Sequence, residues 1–131
     1  LVVSRRIERL GRLARFRLSR GLERKRQLMR RWSALCPENF RHKLQLMDAE
    51  RARLRRDRSR ARQLYREARI SARQAGFPLN AAVARELAGR FELQTGRLDE
   101  ARRHLSEARS DYAAWGASAK VDLMARELAE L

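Results

Sequence analysis

Apolar residues recur at steps of three and four along most of the chain, which is the spacing of one face of an α-helix. The cleanest stripe consists of Leu98, Ala101, Leu105, Ala108, Tyr112 and Trp115. Shorter stripes occur in six other segments, and glycine or proline separates most of them. The pattern predicts an all-α fold of about seven helices, stacked as antiparallel hairpins with short links.

Helix ends are indicated by proline, glycine and capping side chains. Pro37 ends the second predicted helix at Cys36, because the residue before a proline avoids the helical region. Ser59 and Asn80 are predicted to cap later helices. Glycine at a helix C-terminus readily adopts the left-handed conformation, so three further helix ends are predicted at glycines. These are Gly76, Gly96 and Gly116.

Two stretches that lie 40 residues apart share a residue pattern. They are Arg56–Gly76 and Gly96–Gly116. The matching pairs are Ala61/Ala101, Arg62/Arg102, Glu67/Glu107, Ala68/Ala108, Arg69/Arg109 and Gly76/Gly116. Small residues at a helix crossing let two helices approach to about 8–10 Å. The repeat is therefore interpreted as a packing unit, in which neighbouring hairpins must stack to bury their apolar faces.

The order of small and large residues in these hairpins resembles the tetratricopeptide repeat. In the second hairpin the pattern falls on Gly89, Gly96, Leu98, Ala101, Leu105 and Ala108. In the first hairpin it falls on Ala49, Arg56, Arg58, Ala61, Tyr65 and Ala68, with arginine in place of the turn glycine and of the following large residue. The resemblance implies a tetratricopeptide-like superhelix. Residues 1–36 would form a basic N-terminal hairpin, a partial repeat, and residues 37–131 two hairpins with a C-terminal capping helix.

Several short motifs are also similar to the helical-repeat region of large bacterial signalling proteins. In that family an AAA-type ATPase or kinase part precedes the repeats, and GAF and histidine kinase modules follow them. The motifs are PENF at residues 37–40, Gly76-Phe77, Glu86-Leu87-Ala88 and WGASAKV at residues 115–121. The resemblance implies a non-catalytic interaction or scaffold module of a signal-transduction protein. Because the sequence does not start with methionine, we also expect the chain to be a piece of a larger protein.

Positive charge is concentrated in the first half of the chain. The net charge is +16, and residues 1–73 carry 24 basic against 7 acidic side chains. Such asymmetry is typical of a surface for an anionic partner. A second interpretation is genome composition, because 29 of the 32 basic residues are arginine. Both interpretations stay open at the level of sequence.

One arginine-rich run is the candidate for an anionic-partner surface. It contains seven arginines and one acid, Asp57, within residues 51–62. The arginines are Arg51, Arg53, Arg55, Arg56, Arg58, Arg60 and Arg62. They surround a predicted helix end without interleaved aromatic residues, which disfavours nucleic-acid binding. An acidic protein partner, such as a neighbouring domain of the parent chain, is the favoured interpretation, and a basic nucleic-acid-binding domain is the alternative.

Candidate catalytic and metal-binding chemistry is sparse. No glycine-rich phosphate loop occurs, and His42 and His104 have no second ligand at metal-binding spacing. The two histidines are predicted to lie exposed on polar faces. Cys36 is predicted to be a structural thiol, since no base is near it in sequence. We therefore predict no enzymatic activity, no cofactor and no metal.

The remaining expectations concern aromatic residues and location. Four aromatic residues on apolar stripes are predicted to pack in the core: Trp32, Tyr65, Tyr112 and Trp115. No apolar run approaches the roughly 18 residues of a membrane span, so no membrane partner is expected. A single cysteine favours a reducing compartment such as the cytoplasm. The oligomeric state is left open.

Overall fold

A computed structural model of the chain describes residues 20–21 and 23–131. Within these residues the chain forms six helices and no strand, which confirms the predicted all-α class. Helix α1 comprises residues 20–21 and 23–35. The others are α2 (Pro37–Leu54), α3 (Arg58–Gln74), α4 (Pro78–Gln94), α5 (Leu98–Ala114) and α6 (Ser118–Ala129). The first of the seven predicted helices lies outside the described residues.

From α2 onward each helix packs against the next one along the chain. Only three residues separate successive helices from α2 to α6, so each helix folds back along the one before it. Helix α1 also packs beside α2, where Arg26 pairs with Asp48 and Glu23 pairs with Arg51. The result is a sequential stack of antiparallel helices, which is compatible with a helical-repeat architecture.

The four links between α2 and α6 are built in the same way. Each has one residue at positive φ, and these residues stand 20 positions apart: Arg56, Gly76, Gly96 and Gly116, at φ values of 61°, 82°, 81° and 69°. In the first link the N–H of Asp57 donates to the carbonyl of Ala52 at 2.9 Å, and equivalent bonds recur in the other three. This hydrogen-bond pattern is the Schellman motif that ends a helix through a left-handed residue.

Two of the predicted helix starts are wrong, by two residues for α3 and by three for α4. Helix α3 is capped by Asp57, whose carboxylate accepts from the N–H of Arg60 at 3.2 Å, and Ser59 lies inside the helix. Helix α4 begins at Pro78, because the fixed φ of proline suits the first helical position. Asn80 therefore does not cap α4, and its side chain is free to contact another helix.

Alanine and glycine dominate the helix crossings. One apolar cluster joins α2, α3 and α4, and a second joins α4, α5 and α6. Helix α4 contributes residues to both clusters. It is therefore buried on two sides, and most of its own buried residues are small. The small repeat positions are buried: Ala49, Ala61, Ala68, Ala101 and Ala108 have exposed fractions of 1% or less.

The aromatic and histidine predictions are only partly right. Tyr65 and Tyr112 are buried, as the sequence predicts. Trp32 and Trp115 are 41% and 60% exposed, so the prediction of core packing is wrong for both. Trp115 caps the C-terminus of α5, beside a link, where solvent reaches its ring. Leu98, at the other end of the same stripe, is 47% exposed for a similar reason.

The prediction of exposed histidines is also wrong. His42 is 3% exposed, and its ring centroid lies 4.9 Å from that of Phe77. Its Nε2 lies 3.0 Å from Nδ2 of Asn80, so this histidine ties α2 to the start of α4. His104 is half-buried on α5. Both positions are set by contacts with other helices.

Candidate functional site

Charged side chains from three helices converge on one groove of about 380 Å³. Its floor is apolar and includes Tyr65 and Phe91, which are 1% and 3% exposed. Its walls carry six arginines, two glutamates and one histidine, and we call this site the arginine groove. The wall residues are Arg62, Arg66, Arg69, Arg85, Glu92, Arg97, Glu100, Arg103 and His104.

Helix α3 supplies one wall of the arginine groove. Arg62, Arg66 and Arg69 follow one another at steps of four and three, so they lie on one helix face. The core-facing positions of α3 are filled by apolar residues. The arginine stems can therefore cover the apolar floor while the guanidinium groups remain in the groove. The guanidinium carbon of Arg62 lies 5.4 Å from the centroid of the Phe91 ring.

Glu92 of α4 holds two of the arginines in place. Its side chain is 3% exposed, and Arg62 Nε donates to its Oε1 at 2.8 Å. Arg97, in the link that follows α4, lies with Nη1 3.0 Å from Oε2 of the same carboxylate. A buried carboxylate is tolerated when charged partners satisfy both of its oxygens. Glu92 therefore connects α3, α4 and the link before α5.

Several donors of the groove have no partner in the described part of the chain. Arg66 and Arg69 make no ion pair or side-chain hydrogen bond there. Arg85 pairs with Glu107, yet its Nε is buried without an acceptor. Nδ1 of His104 is likewise buried and without a partner. Most buried polar groups in proteins are hydrogen-bonded, so the unpaired buried nitrogens of Arg85 and His104 are unusual among the residues that line the groove.

The electrostatics of the groove favour an anion. Burial lowers the pKa of His104, and the positive charges of Arg103 and Arg85 lower it further. Arg103 pairs with Glu100 at 2.6 Å and lowers the pKa of that carboxyl. The six arginines thus face only Glu92, Glu100 and Glu107 as carboxylate partners among the described residues. The groove keeps a net positive charge.

The structure separates the seven arginines that the sequence groups together. Arg51, Arg53 and Arg55 lie near carboxylates, with Arg53 Nη2 2.7 Å from Glu50. Arg62 alone reaches the arginine groove. The other three are exposed around the α2–α3 link, without a side-chain partner among the described residues. They are Arg56, Arg58 and Arg60.

Most wall residues of the groove cannot be identified from the sequence alone. The spacing of Arg62, Arg66 and Arg69 on one helix face is a sequence signal that could have identified the α3 wall. Arg85 and Arg103 reach the same groove only because α4 and α5 pack beside α3. No local pattern could have joined them.

Two other polar clusters lie within the stack and have a structural explanation. The hydroxyl of Tyr65 donates to Glu50 at 2.6 Å, and that of Tyr112 donates to Glu86 at 2.8 Å. Burial and these carboxylates raise the pKa of each tyrosine, so both hydroxyls stay protonated. Lys120 also donates to Glu86 at 3.1 Å. These contacts satisfy polar groups between helices.

Metal-binding and membrane-spanning features do not add a further candidate. Nowhere in residues 20–21 and 23–131 do three His, Cys, Asp or Glu side chains group so that they could hold a metal ion. No helix of that same portion has the length and apolar character to cross a bilayer. Cys36, which precedes α2, is a half-buried free thiol.

Comparison of the chain with known proteins adds no family assignment. No protein family matches the sequence, and neither a curated protein nor a solved structure matches it. The candidate site is therefore judged on its own geometry.

Proposed function

We propose that this chain is a non-catalytic helical-repeat interaction module and that the arginine groove binds an acidic segment of a protein. The main observation in support is that six arginines converge on one groove that contains few carboxylates. These arginines come from α3, α4, α5 and one link. Arginine forks onto carboxylate groups with two parallel hydrogen bonds.

The stack of antiparallel helices and its regular links support the repeat interpretation. The resemblance noted in the sequence supports a place within a larger bacterial signalling protein, where a neighbouring domain could supply the acidic segment. The single cysteine supports a reducing compartment, the cytoplasm. In this proposal the module holds other parts together and transforms no substrate.

A peptide-binding measurement tests the proposal. The probe is a fluorescent peptide of alternating glutamate and serine, titrated by fluorescence anisotropy. The double variant Arg66→Gln/Arg69→Gln should weaken binding by about tenfold or more, since each charge-assisted hydrogen bond contributes roughly 1.5–3 kcal/mol. The matched control, Arg58→Gln/Arg60→Gln, removes the same charge from the same helix outside the groove. It should bind nearly as well as the unaltered protein.

The alternative function, nucleic-acid binding, has one observation in its favour. Arg56, Arg58 and Arg60 are exposed and have no carboxylate partner in the part of the chain described by the structure. An oligonucleotide titration at two salt concentrations distinguishes the two functions. Nucleic-acid binding should weaken with a log–log slope near −0.9 per phosphate neutralised. Oligonucleotide binding that is tighter than peptide binding and is lost in the Arg58/Arg60 variant would replace the proposal with this alternative.

A further inference from the structure

We propose that Arg66, Arg69, Arg85 and His104 form a phosphate-binding subsite of the arginine groove, which takes a phosphorylated serine or threonine of the bound segment. The inference rests on the proposed function and narrows its ligand. All four side chains line the same groove, on α3, α4 and α5. Nε of Arg85 and Nδ1 of His104 are buried without a partner among the described residues. Arg66 and Arg69 make no ion pair or side-chain hydrogen bond in that part of the chain.

The unused donors exceed what one carboxylate can accept. Arg66 and Arg69 each present a whole guanidinium group, with five N–H donors in a fixed fork. The Nε–H of Arg85 is a further buried donor, because the pairing with Glu107 uses Nη1. Nδ1 of His104 adds one more donor when it carries the ring proton. Carboxylate offers two oxygens, whereas a phosphate monoester offers three terminal oxygens.

Charge also favours a phosphate monoester over a carboxylate. Arg62 and Arg97 share the single carboxylate of Glu92, while Arg66 and Arg69 have none within the described residues. A phosphate monoester carries a charge of about −1.5 to −2 at neutral pH, against −1 for a glutamate side chain. It would therefore neutralise more of the remaining positive charge of the groove.

The floor of the groove disfavours a nucleotide as the source of the phosphate. Bases of single-stranded nucleic acids stack on exposed aromatic rings. The two aromatic rings of the groove, Tyr65 and Phe91, are 1% and 3% exposed, so neither presents a free face. A phosphorylated side chain on a protein segment needs no such stacking surface. We therefore assign the phosphate to a protein.

Four labelled peptides test the subsite by fluorescence anisotropy. Three share glutamate flanks and carry serine, phosphoserine or glutamate at the centre. The fourth carries phosphoserine between neutral flanks. With glutamate flanks, phosphoserine should bind about tenfold more tightly than serine or glutamate, since the phosphate adds charge-assisted hydrogen bonds. Arg66→Gln/Arg69→Gln should abolish this gain, and the Arg58→Gln/Arg60→Gln control should keep it.

A conservative variant tests the contribution of Arg85. Arg85→Lys keeps the charge that faces Glu107 and removes the Nε–H donor. It should reduce the gain from phosphoserine while the affinity for the unphosphorylated peptide stays nearly unchanged. Circular dichroism of each variant verifies that the helices are intact.

The outcomes separate the subsite from the proposed function. Equal affinities for the serine and phosphoserine peptides, both lost in the Arg66/Arg69 variant, would overturn the subsite and support the acidic-segment proposal. Groove-dependent binding of the neutral phosphopeptide, without binding of the unphosphorylated acidic peptide, would support the subsite and overturn the acidic segment. A failure of all four peptides, or tighter binding of an oligonucleotide in the groove, would overturn both.

Discussion

Arg56 adopts a left-handed backbone conformation, whereas the equivalent position in each of the other three links is a glycine. Its φ is 61°, and Gly76, Gly96 and Gly116 have φ between 69° and 82°. A side chain in the left-handed region crowds the backbone, at a cost of roughly 1–2 kcal/mol. The hydrogen bonds of the α2–α3 link match those of the glycine links, so the neighbouring helices impose this conformation.

Arg56→Gly should therefore increase the free energy of unfolding by about 0.5–1 kcal/mol, because relief of strain exceeds the added chain entropy of glycine. Urea denaturation monitored by circular dichroism measures the change. Arg55→Gly is the matched control, since it removes the same charge at φ −83°, in the right-handed region. It should lower stability by about 1 kcal/mol. Equal losses in the two variants would contradict the assignment of strain to position 56.

At the scale of the element, α4 is the helix on which the stack depends. Both apolar clusters include its residues, and its small side chains allow neighbours on two sides. Gly89 marks the closest approach to α5. A Cβ atom placed there would lie 2.8 Å from Cγ of Leu105 and 3.2 Å from Cβ of His104. Leu105 is itself buried and cannot move aside freely.

Gly89→Ala should lower the free energy of unfolding by about 1–3 kcal/mol, because overpacking exceeds the gain in helix propensity. The control is Gly21→Ala, at a helical position where an added Cβ meets nothing within 4 Å. That change should stabilise the protein by up to about 1 kcal/mol. The denaturation midpoints of the two variants should therefore move in opposite directions. An increase in midpoint for Gly89→Ala would refute the close crossing of α4 and α5.

Glu92 links the stability of the helix stack to the charge of the arginine groove. Glu92→Gln should lower the free energy of unfolding by about 1–2 kcal/mol, because it weakens two ion pairs whose arginines are partly exposed. The same change should strengthen binding of the acidic peptide, since it adds one net positive charge to the groove. Denaturation and anisotropy on one sample measure both effects. Weaker peptide binding by a folded Glu92→Gln variant would contradict the proposed site.

At the scale of the whole molecule, two buried or half-buried histidines couple the stack to pH. Burial and the charge of Lys43 lower the pKa of His42, and burial with Arg103 and Arg85 lowers that of His104. The unfolded chain therefore binds protons more readily than the folded protein as pH falls through the ordinary histidine pKa of 6.5. Stability should be greatest above that pH and should decrease below it, until the folded-state pKa is reached.

Urea midpoints measured between pH 7.5 and 5 should show this decrease. The paired carboxyls contribute little to it, since interactions lower the pKa of Glu86 and Glu100 and their effect is confined to more acidic pH. The double variant His42→Gln/His104→Gln should lose much of the pH dependence in this window. A variant that keeps the full decrease would show that other groups cause it.

The pattern of residues along the chain predicts the helices, their approximate limits and the small residues at their crossings. These features follow from local physics: a helical face repeats every 3.6 residues, and glycine marks left-handed helix ends. The apolar stripe predicted on α5 is confirmed at four positions, because Ala101, Leu105, Ala108 and Tyr112 are buried. The fold class could therefore be predicted without knowledge of any neighbouring helix.

Packing of the helices in three dimensions sets which side chains are buried at helix ends and which arginines are paired. Trp115 and His42 differ from their predicted exposure because burial there depends on the facing helix. The arginine groove unites Arg66, Arg85 and Arg103 from three helices, although the sequence drew attention to the run at residues 51–62. Charge along a chain is a one-dimensional property, whereas a binding site requires charges brought together in space by packing.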